Sequence, residues 1–257
     1  MKIYIHTDLE GVTGIDTMAM MARDHERHEE AKRNLMADVN AAVDGAFAGG
    51  AEEVTVLDSH GGGGNFMLEL LDKRAVNDTK PNKKWWGILD ESYDATFFIG
   101  AHAMAGTING FLDHTQSSKT WFDYKVNGRS FGELAQWAMV AGSFGVPMAM
   151  VSGDEAACVE ARQFFHPLKT ATVKRGMGRN RAELVDLEEA RAQIREAARQ
   201  AISIIPETTP FVPAKPMEIK LTFTRADHCD AAAGRGCERI DARTVRKVTD
   251  DCLKLFP

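Results

Sequence analysis

The sequence predicts an α/β fold: a mostly parallel sheet flanked by helices, with a smaller C-terminal subdomain. Three observations lead there. Short runs rich in apolar or β-branched residues at 3–5, 53–57, 95–99, 147–151 and 170–174 have strand length and alternate with stretches of helical spacing. Each run ends in glycine or in polar residues of turn type. Pro206, Pro210, Pro213 and Pro216 then break the chain within eleven residues, dividing a first domain over 1–205 from a subdomain over 206–257 packed on it.

Taken in order, the first strand runs directly into Asp8-Leu9-Glu10-Gly11, where two carboxylates at i, i+2 point to one side of an extended backbone. A loop with Met18, Met20 and Met21 follows, and these flexible side chains suit gap filling. Over 24–47, Leu35, Val39, Val43 and Phe47 recur every four residues on a helix that stops at Gly49-Gly50. Strand 53–57 leads into Asp58-Ser59-His60 and the run Gly61-Gly62-Gly63-Gly64. A short helix near 66–72 and a loop bearing Trp85-Trp86 precede strand 95–99, which leads to Gly100-Ala101-His102. Trp85-Trp86 reads as packing or a subunit contact. The stretch 107–130 is irregular or hairpin-like, with His114 in a loop and Asn127-Gly128 as the turn. Helix 131–141 carries Glu133 in its first turn, where the macrodipole favours a carboxylate. Strand 147–151 ends in Ser152-Gly153-Asp154, helix 155–165 follows, and Leu187, Ala190, Ile194, Ala198, Ala201 and Ile205 share one face of a helix over 183–205. An alternating strand over 217–224 opens the subdomain.

Composition removes several classes of function. With 31 basic and 37 acidic residues and a net charge of −6, no long basic run exists to track a nucleic acid or an anionic membrane. No stretch approaches the roughly 18 apolar residues of a membrane span, and the N-terminus reads as a strand rather than a signal peptide. Cys158, Cys229, Cys237 and Cys252 lie far apart, without a Cys-x-x-Cys pair, as expected of thiols in the cytoplasm.

In a parallel sheet, ligands collect outside the carboxyl ends of the strands. Asp8, Glu10, Asp58, His60, His102 and Asp154 all fall on that rim. Two acids sharing a small volume repel unless a cation lies between them. A di-metal hydrolase requires two imidazoles and two or three carboxylates around ions roughly 3.5–4 Å apart, and this mixture of ligands suits zinc. Asp58 fits a role orienting His60 or its loop, Asp154 a helix cap, and either could accept a substrate amine. His6, alternating with Ile5, reads as a packed histidine.

The set Asp8-Leu9-Glu10-Gly11, Asp58-Ser59-His60, Gly100-Ala101-His102, His114 and Gly132-Glu133-Leu134 resembles the DppA-type D-aminopeptidases, zinc peptidases of family M55, over nearly the whole chain. The resemblance implies a two-zinc site with Asp8, Glu10, His60, His102 and Glu133 as ligands, Asp8 bridging, and His114 as the catalytic histidine. It further implies an aminopeptidase acting on short, D-amino-acid-containing peptides of the D-Ala-D-Ala type, assembled as a ring of ten subunits around an inner chamber. The four-glycine run is a departure from the family pattern. Two rival readings stand beside this one: a metal-dependent amidohydrolase or phosphoesterase acting on a non-peptide, and a phosphate- or nucleotide-binding module built on the Gly61-Gly64 loop. The second rival lacks the Gly-Lys-Ser/Thr of a phosphate loop.

Overall fold

The computed structural model describes residues 1–234 and 236–257. In chain order it contains β1 (Lys2–Thr7), α1 (His28–Gly49), β2 (Glu53–Asp58), β3 (Val76–Asp78), β4 (Ala95–Ala101), β5 (Trp121–Val126) and β6 (Arg129–Ser130). There follow α2 (Glu133–Ser143), β7 (Met148–Asp154), α3 (Glu155–Phe164), β8 (Lys169–Gly176), β9 (Ala182–Leu184) and α4 (Leu187–Ile204). The chain finishes with β10 (Met217–Phe223), α5 (Ala226–Ala232), β11 (Glu238–Arg239) and β12 (Thr244–Thr249).

The main sheet has the order β3-β2-β1-β4-β7-β8-β9. All its pairs are parallel except β8 with β9, as the alternation of strands and helices predicts. Both faces are covered. Ile3 and Ile5 of β1 pack on the α1/α4 side, while Tyr4 faces Trp137 and Ala138 of α2 on the other. The second sheet, β11-β12-β10-β5-β6, is antiparallel and closes the far side of α2. Helix α2 is therefore buried on both flanks, with Leu134 and Trp137 toward the main sheet and Met139 and Val140 toward the second, which explains why it is apolar on both.

Residues beyond Pro216 do not build their sheet alone. Strand β10 pairs with β12 on one side and with β5, from the middle of the chain, on the other. The β5–β6 turn is the expected Asn127-Gly128, with φ of 51° and 83°, the twist a two-residue hairpin requires. Three helix starts differ from the sequence reading, the one read from 131 opening at Glu133. The helix predicted to start at 24 begins at His28, and the one predicted from 183 begins at Leu187 because Asp186 accepts hydrogen bonds from the amides of Glu188 and Glu189. Residues 182–184 are drawn instead into the edge strand β9.

The chain passes from β1 to β2 on one side and later returns to β4 on the other, so the direction of winding reverses between β1 and β4. At that point the two strand ends lock together. The Asp8 amide donates to Ile99 O (2.8 Å) and the Gly11 amide to Gly100 O (2.9 Å). A Cβ at Gly11 would lie 2.0 Å from Ala101 O, and Gly100 sits at φ +82° with Asp8 O 2.1 Å from where its Cβ would be. Neither position has room for a side chain. Gly11→Ala is expected to cost about 3 kcal/mol, lowering Tm by about 6–12 °C. Thermal unfolding checks this, and an unchanged Tm would show that the contact relaxes freely.

Candidate metal centre

The six residues singled out as ligands or catalytic group converge outside the carboxyl ends of β1, β2 and β4. They form two triads, Asp8/Glu10/His60 and His102/His114/Glu133, each with its candidate ligand atoms within 4.8 Å of one another. Asp8 joins them. Its Oδ1 lies 2.9 Å from His60 Nδ1, and its Oδ2 lies 3.3 Å from His102 Nε2. Glu10 Oε2 lies 3.1 Å from the same His60 nitrogen. His102 Nε2 is 3.4 Å from Glu133 Oε1, and His114 Nε2 stands farther off, 3.7 Å from Glu133 and 4.0 Å from Glu10. The His102 and His114 rings stack, with centroids 4.0 Å apart.

Each side chain is aimed by a contact behind it. His102 Nδ1 pairs with Ala103 O (3.0 Å) and His114 Nδ1 with Leu112 O (2.8 Å). A carbonyl only accepts, so both Nδ1 atoms donate and both Nε2 atoms face the centre. Glu133 opens α2, and its Oε1 accepts from the Gln116 amide (2.7 Å). The His60 turn is held by Asn65, which donates to His60 O (2.7 Å) while Asp58 accepts from its side chain and its amide. Asp58 thus orients the loop.

Two observations favour a cation here. Glu10 Oε2 and His102 Nε2 are buried and face other candidate ligands, His60 Nδ1 at 3.1 Å and Asp8 Oδ2 at 3.3 Å, without a well-aligned hydrogen bond, which an ion held between them would relieve. The charges point the same way. Burial disfavours a charged His60, but the Glu10 carboxylate and the hydrogen bond to Asp8 overcome this and raise its pKa to about 11. His102 is also raised well above the usual imidazole range, its burial outweighed by Asp8 and Glu133. Glu10 is lowered despite its burial, chiefly by the charge on His60. The carboxylates hold protons on imidazoles, and binding a divalent cation would displace those protons.

The centre opens into a cavity of about 500 Å³. His114 and Glu133 line it, together with the exposed backbone of Gly61 and Gly62, while His102 lies behind the wall. Trp85 also lines it and packs on Trp137 and Phe256, so this residue, read from sequence as packing, borders the site as well. His6 is packed as expected, its ring 4.1 Å from that of Trp137, and burial lowers its pKa to about 3. The sequence expectation that Asp58 or Asp154 receives a substrate amine is corrected. Neither lines the cavity, and Asp154 is occupied by the amides of Phe111 and Gly176 (3.0 and 2.9 Å) and does not cap α3.

Two contributors escaped the sequence reading. Lys174, fully buried in β8, donates from Nζ to Glu10 O (2.9 Å) and Ile15 O (2.8 Å), tying down the loop that carries the β1 acids. Burial pushes its pKa down to about 7, against the pull of Asp38 and Asp154. Gln136 lines the cavity from α2 and accepts from Gln116 Nε2 (2.9 Å). For Gln136 the signal was a polar residue inside a largely apolar helix, whereas β8 carries several polar residues and gave no such sign for Lys174.

The sequence model of the D-aminopeptidase family, peptidase family M55, matches residues 1–257. This chain belongs to that family. It is 30% identical over 226 residues to a D-aminopeptidase of Bacillus subtilis (strain 168), an alignment covering 87% of this chain and 81% of the relative. Its structure is similar to that of the Zn-dependent D-aminopeptidase DppA from Bacillus subtilis, described as a self-compartmentalizing protease. The TM-score is 0.93 at 27% identity, covering 99% of this chain and 94% of the other. Membership makes the chain a peptidase-family hydrolase and leaves the nucleotide-binding rival without support. No described helix is long and apolar enough to cross a membrane.

Proposed function

We propose that this chain is a two-zinc aminopeptidase that removes the N-terminal residue from short peptides containing D-amino acids, of the D-Ala-D-Ala type. The observation that carries the proposal is Asp8, whose two carboxylate oxygens face a histidine of each triad. Asp8 would bridge, Glu10 and His60 would hold one ion, and His102 and Glu133 the other. Bound zinc would polarise the scissile carbonyl and lower the pKa of a water toward neutrality.

The chain's own residues do the rest. The neutral tautomer of His114 leaves Nε2 free to take a proton at the cavity wall and to return it to the leaving amine. Its distances, longer than those of His60 and His102, support this role over ligation. Trp85, Trp137 and Phe256 line the cavity with apolar surface for small side chains. Likeness to a self-compartmentalizing protease supports a homo-oligomer, which we take to be the ring of ten, and the free cysteines support a cytoplasmic setting.

The test is metal analysis together with a substrate panel of D-Ala-D-Ala, D-Ala amide and L-dipeptides. About two zinc per chain with turnover of the D-dipeptide is expected. Turnover confined to L-dipeptides, or to a non-peptide amide, would replace this reading with the amidohydrolase one or remove its stereochemistry. Lys174→Met, which leaves two buried carbonyls unpaired behind Glu10, is expected to weaken zinc binding by about 10–100-fold in chelator competition. Unchanged affinity would show that the loop holds itself.

A further inference from the structure

The wall of the cavity carries two lysines that the metal centre does not use. Lys80 and Lys119 both line it, and neither enters an ion pair with any carboxylate among the described residues. Every acid lining the same cavity, Asp8, Glu10 and Glu133, belongs to the metal centre. The cavity is thus polarised, with carboxylates where ions bind and unneutralised ammonium groups elsewhere.

Lys80 is placed there by a built support. It lies just beyond β3 at φ 52°, a left-handed conformation uncommon for lysine, and its amide donates to Asp78 Oδ1 (2.7 Å). The buried Asp78 also accepts from Tyr4 Oη (2.5 Å) and from the Ile88 amide (2.7 Å), pinning both ends of the segment that brings Lys80 and Trp85 to the cavity. Lys119 comes from the turn before β5, beside Ser117 and Ser118, which also line the wall.

We propose that Lys80 and Lys119 form a subsite for the free α-carboxylate of the substrate, making the enzyme selective for dipeptides over peptides blocked at the C-terminus. The inference rests on the aminopeptidase reading above. In a dipeptide the α-carboxylate is only two bonds beyond the scissile nitrogen, so a chain whose carbonyl lies at the metal centre carries its negative end into the same cavity. Lysine suits this task as a mobile point charge on a long stem, and removal of the partner charge costs the charge-assisted hydrogen bonds.

The experiment compares D-alanyl-D-alanine with its C-terminal amide on the zinc-loaded enzyme. The free acid is expected to exceed the amide by about tenfold or more in kcat/KM, and K80Q/K119Q is expected to bring the ratio close to one. Equal kcat/KM for acid and amide in the wild type, or a preference that survives in the double variant, overturns the subsite and leaves the peptidase reading standing. Turnover of neither compound overturns the peptidase reading and the subsite with it. Calorimetry with D-alanyl-D-alanine on zinc-loaded H114A, with and without K80Q/K119Q, reads binding apart from chemistry. A loss of about tenfold in affinity is expected, and equal affinity in the two proteins overturns the proposal.

Discussion

Asp8→Ala is expected to strip the protein of zinc and to lower kcat/KM by about three orders of magnitude or more. The reason lies in where the side chain stands. Asp8 is the carboxylate that approaches both triads most closely, with one oxygen 2.9 Å from His60 and the other 3.3 Å from His102. Alanine removes a shared ligand and part of the negative charge that two divalent ions require. Glu10 and His60 would retain two donors on one side, and His102 and Glu133 two on the other, fewer than the three protein ligands of an ordinary catalytic zinc site. Metal content by elemental analysis and activity on D-Ala-D-Ala check the expectation. An Asp8→Ala protein that keeps its full zinc would remove the bridge from the account.

His114→Ala is expected to lower turnover by about 10²–10⁴-fold while leaving the metal content of the wild type. His114 Nε2 is 3.7 Å from its nearest carboxylate oxygen, whereas His60 approaches to 2.9 Å, and His114 lines the cavity where a substrate would lie. The competing possibility is concrete, because His114 also sits within ligand range of His102 and Glu133. The two variants together decide it. Metal lost from His114→Ala as it is from Asp8→Ala would make His114 a ligand, and turnover would then need another proton carrier.

Much of this arrangement was legible before any coordinates. Ligand-type residues placed directly after β1, β2 and β4 had to share a rim once the sheet was parallel, because strands in such a sheet all end on the same side. The i, i+2 spacing of Asp8 and Glu10 needed only an extended backbone. His114 and Glu133 were harder. They reach the centre from a loop and from the start of α2, and only the family resemblance attached them to it.

What escaped notice depended on partners far away in the chain. Lys174 is 164 residues from the Glu10 carbonyl it supports, and nothing near it in sequence indicates that contact. The three-residue strands β3 and β9 have too few residues to show periodicity, and their backbones are extended by their neighbours. The second sheet could not be read because β5 and β10 meet across nearly a hundred residues.

By itself the sequence determined the local matters: which of the longer segments are strands or helices, and which side chains able to hold a cation end up on one edge. Those follow from periodicity and backbone sterics, which act within a few residues. Only the tertiary structure decided that Asp8 has one oxygen for each triad, that α2 is enclosed between two sheets, and that two lysines face the same cavity as the acids. Such relations are set by packing between distant segments, where a shift of one ångström changes the chemistry and no short stretch of sequence records the distance.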